Sequence, residues 1–378
     1  MKSSERAAVG RTLAPRPGEF AENHTELISL GGVYVSLWYA AVRSRKPEIY
    51  MASFAFRRAF LVLASAVALS TSAITAAPAA QAATVPLGVN APYLYLGWGS
   101  PPNPTSVMTA TGTKQFTLAF LTSDGTCSPK WDGYRNLLGG REESAIKKIR
   151  AAGGDVVASF GGWSGHKLGI KCKSAAALAG AYQKVINAYK LKAIDVNIEN
   201  TEDDSAAVRQ RIVDALKKVK AANSGIKIYV TFSGTATGPV TPIKDLIKRA
   251  AASHLVVTGW NIMAFNFRTT DTMGTATIKS ADGLKKTVAT AYGLPSADAY
   301  RRIGISTMNG KTDLAGQKIS VRDFNTMLGY AKRHHIARFT FWSVNRDRSC
   351  APGLDADSCS GVKQSKYDYT KVVAQYRG

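Results

Sequence analysis

Histidine, cysteine and acidic side chains are the scarce residues of this chain: five, four and 26 in 378, against 49 lysines and arginines. No two cysteines stand in a Cys-x-x-Cys pair and the histidines lie elsewhere, so zinc is the weaker reading of the cysteines; neither metal nor cofactor is expected. No long basic run or zinc-finger spacing accompanies the net charge of +23, which leaves nucleic acid without a recognition motif. The apolar stretch at residues 59–69 falls short of the roughly 18–20 residues of a membrane span, which excludes a stable membrane anchor of that kind. Internal repeats, long Gly/Ser linkers and appended modules are also absent.

What is present starts with an export pattern. Arg57 and Arg58, the apolar residues 59–69 and Ala80-Gln81-Ala82 follow the order of a secretory signal, read as residues 51–82. Met51 is then the expected biological start, and residues 1–50 are read as an extension arising from a mis-called start codon. Residues 83–378 form one domain, large enough for a closed barrel. Residues 1–82 carry 9 basic and 5 acidic residues, which leaves 40 basic and 21 acidic, or +19, for the exported part. Such a charge suits acidic cell-wall polymers as well as nucleic acid. Lysines in Ile146-Lys147-Lys148-Ile149-Arg150 and Leu216-Lys217-Lys218-Val219-Lys220 nevertheless sit on helical faces, as ordinary solvated surface does.

Cys127, Cys172, Cys350 and Cys359 all lie in the exported part. An even count in a secreted protein reads as two disulfides, with three pairings open. The Gly, Pro, Asp and Ser-rich stretch between Cys350 and Cys359 favours a local bond there, which leaves Cys127 to Cys172.

Strand-like segments are expected at 93–98, 116–121, 155–161, 193–199, 226–233, 256–265, 303–307 and 338–344. Helical patterns separate them at 142–152, 174–190, 205–223, 241–253, 280–290 and 320–334, with a last helix at 365–376 and a poorly marked one near 104–110. Eight strands in strict alternation with helices predict a (β/α)8 barrel, whose reactive side chains gather at the C-terminal ends of the strands. Residues 193–199 alternate apolar with Asp195, Asn197 and Glu199. A solvent-facing antiparallel strand shows the same alternation. Flanking helices instead imply a strand buried on both faces, where carboxylates are costly unless used.

Several strand ends carry a resemblance. Ser159-Phe160-Gly161-Gly162 is similar to an S-x-G-G signature, Asp195-Val196-Asn197-Ile198-Glu199 to the second half of D-x-x-D-x-D-x-E, Asn261-Ile262-Met263-Ala264-Phe265-Asn266 to a sixth-strand N-I-M-x-[YM]-D segment, and Trp342-Ser343-Val344-Asn345-Arg346-Asp347 to an eighth-strand ending. In this order they resemble glycoside hydrolase family 18, and within it bacterial chitinases related to chitinase D, as do Cys359-Ser360-Gly361 and Gln364. The resemblance covers nearly all of residues 91–378.

The resemblance implies a secreted, monomeric enzyme that hydrolyses β-1,4-linked N-acetylglucosamine polymers with retention, the substrate's own acetamido group acting as nucleophile. Glu199 matches the proton donor, Asp195 and Asn197 its neighbours on the strand, and Trp342 the apolar floor under the reacting sugar. A core tryptophan is the plain alternative for Trp342. Gly161, Gly162, Met263, Phe265, Asn266 and Met308 fall at strand ends where substrate would lie. Departures are Lys192 for the first Asp of the motif, Asn197 for its charge-stabilising Asp, Phe265 for a frequent Tyr, and Asn266 for an Asp. The acid is thus kept while neighbouring charge is thinned. Rival readings are an endo-β-N-acetylglucosaminidase acting on glycans and a chitin-binding, lectin-like barrel with little turnover. His166 stands in the loop after the third strand, where a solvated role is the plainer one, and His334 and His335 end a helix, where positive charge is favourable.

Overall fold

In the computed structural model residues 85–378 are described. The segments read as an N-terminal extension and as an export signal lie outside the described residues. Eight strands, β1 (Tyr93–Tyr95), β2 (Gln115–Ser123), β3 (Asp155–Gly161), β4 (Ala193–Ile198), β5 (Lys227–Thr235), β6 (Gly259–Met263), β7 (Ile303–Met308) and β8 (Arg338–Trp342), pair in parallel in sequence order. They alternate with helices α1 (Pro104–Thr111), α2 (Arg141–Ala151), α3 (Ala175–Tyr189), α4 (Ala206–Ala222), α5 (Thr241–Ala252), α6 (Met273–Tyr292), α7 (Val321–His334) and α8 (Asp368–Ala374). The last strand returns to the first. The Phe339 N–H donates to Val89 O at 2.8 Å, and the Thr340 hydroxyl to Ala91 O at 2.6 Å. This is the expected (β/α)8 barrel.

Local chemistry sets the helix ends. Ser174 and Ser205 cap α3 and α4 through their hydroxyls. α7 opens on a reciprocal capping box between Ser320 and Asp323 and closes with Lys332, Arg333 and His334 in its last turn, where positive charge meets the carbonyl end of the helix. His335 follows in the left-handed region at φ 49°, and its ring nitrogen reaches Gly378 O at 3.4 Å.

Strand alternation divides the core. Ile194, Val196 and Ile198 face outward into the large cluster between strands and helices. Small interior clusters, Ala91-Val157-Ala193-Tyr229 and Tyr93-Tyr95-Ala119, fill the barrel axis beside polar side chains. β4 is buried along its whole length, so its alternation separates a dry outer face from a polar interior.

Element bounds differ from the sequence pattern in instructive places. β1 stops at Tyr95 because the chain turns through Gly99 and Ser100, both at positive φ. β6 is shorter than 256–265, since Val256 is exposed before it and Asn266 turns the chain at φ 60° after it. α6 begins seven residues before the expected 280: Thr272 caps it, while Gly274, Thr275 and Thr277, weak helix formers, hide its first two turns. α8 is shorter than 365–376, starting only after Tyr367 at φ 68°.

Both disulfides, Cys127–Cys172 and Cys350–Cys359, are formed in the pairing that local closure favoured. The first ties the loop after β2 to the loop after β3; the second closes a loop after β8. Replacing Cys127 and Cys172 together by serine is expected to lower unfolding free energy by ~2–4 kcal/mol in urea titrations, and the Cys350/Cys359 pair by less, because the first bond spans 45 residues and the second 9.

Candidate active site

Asp195 lies on the barrel axis and is fully buried. Its Oδ2 accepts hydrogen bonds from Tyr93 Oη at 2.8 Å and Ser159 Oγ at 2.6 Å; its Oδ1 accepts from Thr231 Oγ1 at 2.6 Å and from Arg338 Nη1 at 3.4 Å. Arg338 is equally buried, donates to Thr117 Oγ1 at 2.6 Å, and stacks over the rings of Tyr229 and Tyr93. Six strands therefore meet at one ion pair. The register explains it: Asp195 lies opposite Ser159 on β3 and Tyr229 on β5, and Asn197 opposite Gly161 and Thr231.

Asn197 follows one pleat nearer the mouth, 2% exposed, and its Oδ1 has no hydrogen-bond partner among the described residues. A buried acceptor left open costs about 1–3 kcal/mol. Gly161 and Gly162 make that proximity possible. Both have positive φ, and a Cβ on Gly161 would lie 2.1 Å from Asn197 O, the atom that accepts the Gly162 N–H at 3.0 Å.

Glu199 continues the extended chain just past β4 and is half-buried at the mouth. Burial pushes its carboxyl up to about 7; the Lys167 ammonium and the Asn197 amide pull it back, while Asp195 and Asp313 raise it. Its protonated and ionised forms are therefore close in energy near neutral pH.

Trp342 ends β8 and is half-buried rather than enclosed in the core. Its indole stacks on Phe120 at 5.4 Å and 14° and lies about 6 Å from Tyr93 and Tyr95. Asn309 fixes this corner: its N–H donates to Trp342 O at 3.1 Å and its Oδ1 accepts from Ser343 N at 3.0 Å. Met263 and Met308 are buried at the rim, Met308 beside Trp342 in register, and Phe265 is half-buried against the outer core.

Asn266 follows Phe265 in the loop after β6. It is exposed, and its amide stitches the loop after β6 to the loop after β7: Nδ2 donates to Asp313 Oδ2 at 2.8 Å, and Oδ1 accepts from the Asp313 and Leu314 N–H groups. Lys192 is also exposed and reaches Asp155 at 3.6 Å, so the first position of the motif is a surface ion pair. His166 is exposed, with only its backbone oxygen engaged, by Ser123 N. A cavity of about 800 Å³ lies between the loops that carry Arg268 and Gln317.

Sequence reasoning missed Arg338, Tyr93, Phe120, Asp313, Lys167 and Glu202. Alternation within β1, β2 and β8 carries a signal for the first three. Lys167 and Glu202 are buried although they lie outside the strands, which no local pattern announces, and Asp313 is an exposed loop residue.

Arg338→Met is expected to destabilise the fold by ~3–5 kcal/mol in urea titrations, because it leaves the Asp195 carboxylate buried without its cation. Adding Asp195→Asn should recover most of that loss; failure to recover it would show that the ion pair is not what the single substitution breaks.

No family model matches the chain. Among curated proteins it is similar to the probable bifunctional chitinase/lysozyme of Escherichia coli (strain K12), 26% identical over 317 residues that make up 77% of this chain and 35% of that protein. It is also similar to Endochitinase 11 of Metarhizium anisopliae, 27% identical over 290 residues, 70% of this chain and 54% of that one. The chain thus spans about a third and about half of these two relatives. Among solved structures it superposes on active domain 2 of the thermostable chitinase from Pyrococcus furiosus, catalytic-site mutants of which were solved with chito-oligosaccharides. There the TM-score is 0.69 at 23% identity, with 77% of this chain and 95% of that one covered. This chain shares the (β/α)8 fold of that chitinase domain.

Proposed function

We propose that this protein is a secreted glycoside hydrolase of the family 18 type that cleaves β-1,4-linked N-acetylglucosamine polymers with retention. The observation that carries this reading is the pair formed by Glu199, whose carboxyl titrates near neutrality, and the open acceptor Asn197 Oδ1, set within one pleat of each other at the barrel mouth. The chemistry of the relatives, named chitinases, points the same way.

In this mechanism Glu199 gives its proton to the glycosidic oxygen as the C1–O bond breaks and its electron pair passes to that oxygen. The substrate's acetamido oxygen attacks C1 from the opposite face, forming a cyclic oxazolinium ion. Asn197 Oδ1 accepts the acetamido N–H, which orients the group for attack. The Glu199 carboxylate then takes a proton from water, whose oxygen attacks C1 and reopens the ring, restoring the acid and the original anomeric configuration. Trp342, held on Phe120, offers the flat apolar surface on which a pyranose face rests. Neither metal nor cofactor has a part in these steps.

Asn197 also motivates the second reading. An amide orients the acetamido group but supplies no negative charge to offset the oxazolinium, so turnover is expected to be slow, and in the limit the protein is a chitin-binding barrel. Kinetics on a soluble chitin oligosaccharide separate the two.

Glu199→Gln should lower kcat by about 10²–10⁴-fold while leaving oligosaccharide affinity intact. Asn197→Asp should raise kcat, since the carboxylate favours the oxazolinium over the ground state. Activity that survives Glu199→Gln would remove the mechanism, and tight binding without wild-type turnover would establish the binding barrel. The pH profile has a fixed sign: the active form is the protonated acid, so kcat should be level below about 7 and fall above it. A profile that rises through neutrality would contradict Glu199 as the donor.

A further inference from the structure

The loops after β6 and β7 enclose a cavity of about 800 Å³ that the proposed mechanism does not use. Both loops leave the C-terminal ends of their strands, the face of the barrel that carries Glu199. Its walls are tied together by specific bonds. Gln317 Oε1 accepts the Asn266 N–H at 2.8 Å, and Gln317 Nε2 donates to Phe267 O at 2.8 Å, so one side chain joins the two loops. Asp323 Oδ1 accepts the Gly274 N–H at 2.8 Å, which joins the first turn of α6 to that of α7.

The charge left uncompensated in this lining is positive. Arg268, Lys318 and Arg322 are exposed there, and their cationic groups have no hydrogen-bond or ion-pair partner among the described residues. Two carboxylates share the lining, and both are engaged. Asp271 is matched by Lys279 at 2.7 Å, and Asp323 Oδ2 accepts from the Ser320 N–H and hydroxyl at 2.8 and 2.6 Å. Lys318 also stands opposite Lys311 in the antiparallel ladder of Gly310–Lys311 and Lys318–Ile319. Like charges directly opposed are destabilising, so the fold keeps this cation against its own stability.

Two of the three cations are arginines, whose planar guanidinium meets a carboxylate or a phosphate through two parallel N–H bonds. A cleft walled by one sign of charge focuses its field on a counter-ion. We propose that this cavity is an anion-binding site that takes the carboxylate or phosphate groups of an acidic polysaccharide. The choice of an anion rests on the cavity alone; the choice of a polysaccharide rests on the reading of the same face as that of a glycoside hydrolase. A polymer held there is tethered on the face that carries Glu199, which raises its effective concentration at the barrel mouth. Added salt screens the attraction and weakens the tether.

The test is calorimetric titration of the protein with two probes, polygalacturonate for carboxylates and a polyglycerol phosphate for phosphates. The wild type should bind at least one, less tightly as salt is added, and which one it binds tells carboxylate from phosphate. Arg268→Gln combined with Arg322→Gln should weaken that affinity by about five- to tenfold, and Lys318→Gln alone should act in the same direction. Lys217→Gln combined with Lys218→Gln removes the same charge from the exposed face of α4 and should leave the affinity unchanged. Failure of the wild type to bind either polymer overturns the proposal. Equal weakening in the two double variants also overturns it, since the attraction would then belong to the net charge of the whole surface. Tighter binding of a single-stranded oligonucleotide, lost with Arg268 and Arg322, would assign the cavity to nucleic acid and overturn the polysaccharide. Binding is read without turnover, so an inactive wild type would sink the hydrolase reading and leave the anion site decided on its own.

Discussion

A carboxylate on the axis of a barrel is the constraint around which this molecule is arranged. Asp195 is inaccessible to water, and desolvating such an ion costs several kcal/mol. It is held by hydroxyls from β1, β3 and β5 and by the guanidinium of β8, so the same contacts that compensate the charge also fix the relative register of those strands. Arg338 in turn ties β2 through Thr117 and is sandwiched by tyrosine rings. Because a one-residue slip of β4 would carry Asp195 to the apolar outer layer, its register is strongly specified. The positions of Asn197 and Glu199 follow from it, each one pleat nearer the mouth.

Electrostatics then grade along that strand. At the axis Asp195 is matched by an arginine, at the mouth Glu199 is acted on by Lys167 of opposite charge and by Asp195 and Asp313 of like charge, and between Asp195 and Glu199 stands a neutral amide. The group closest to solvent is therefore the one that titrates near neutrality, while the deepest is fully satisfied. Proton transfer belongs to a group whose two charge states are close in energy, and Glu199 meets that condition.

The barrel was legible because its signals are periodic and repeated: strand-like segments alternated with helical patterns along residues 93–376. The two early turns of α6 were hidden because tertiary contacts, such as Gly274 N–H on Asp323, override weak propensity there. Within the site, Asp195, Asn197 and Glu199 were visible since alternation places them on one face. Lys167, Glu202 and Asp313 were not, because a charged residue in a loop reads as solvated and only the folded chain tells which loops close over which. Asn266 was grouped with substrate contacts, yet its amide is engaged in joining two loops.

Asn197 and Asn266, which look alike as losses of charge, have different physical meaning. At 266 the residue must tolerate φ 60° and donate to Asp313 while accepting from the Asp313 N–H. An aspartate there could accept but not donate, and would set two carboxylates against each other. Asp313, its hydrogen-bond partner, is also one of the groups that raise the Glu199 carboxyl. At 197 no neighbour makes up the difference: Asp195 is committed to Arg338, and the largest ionic influence on Glu199 is the positive Lys167. If the proposed oxazolinium forms above Asn197, the amide would orient it without offsetting its charge, so the proposed mechanism is weakest at this one position.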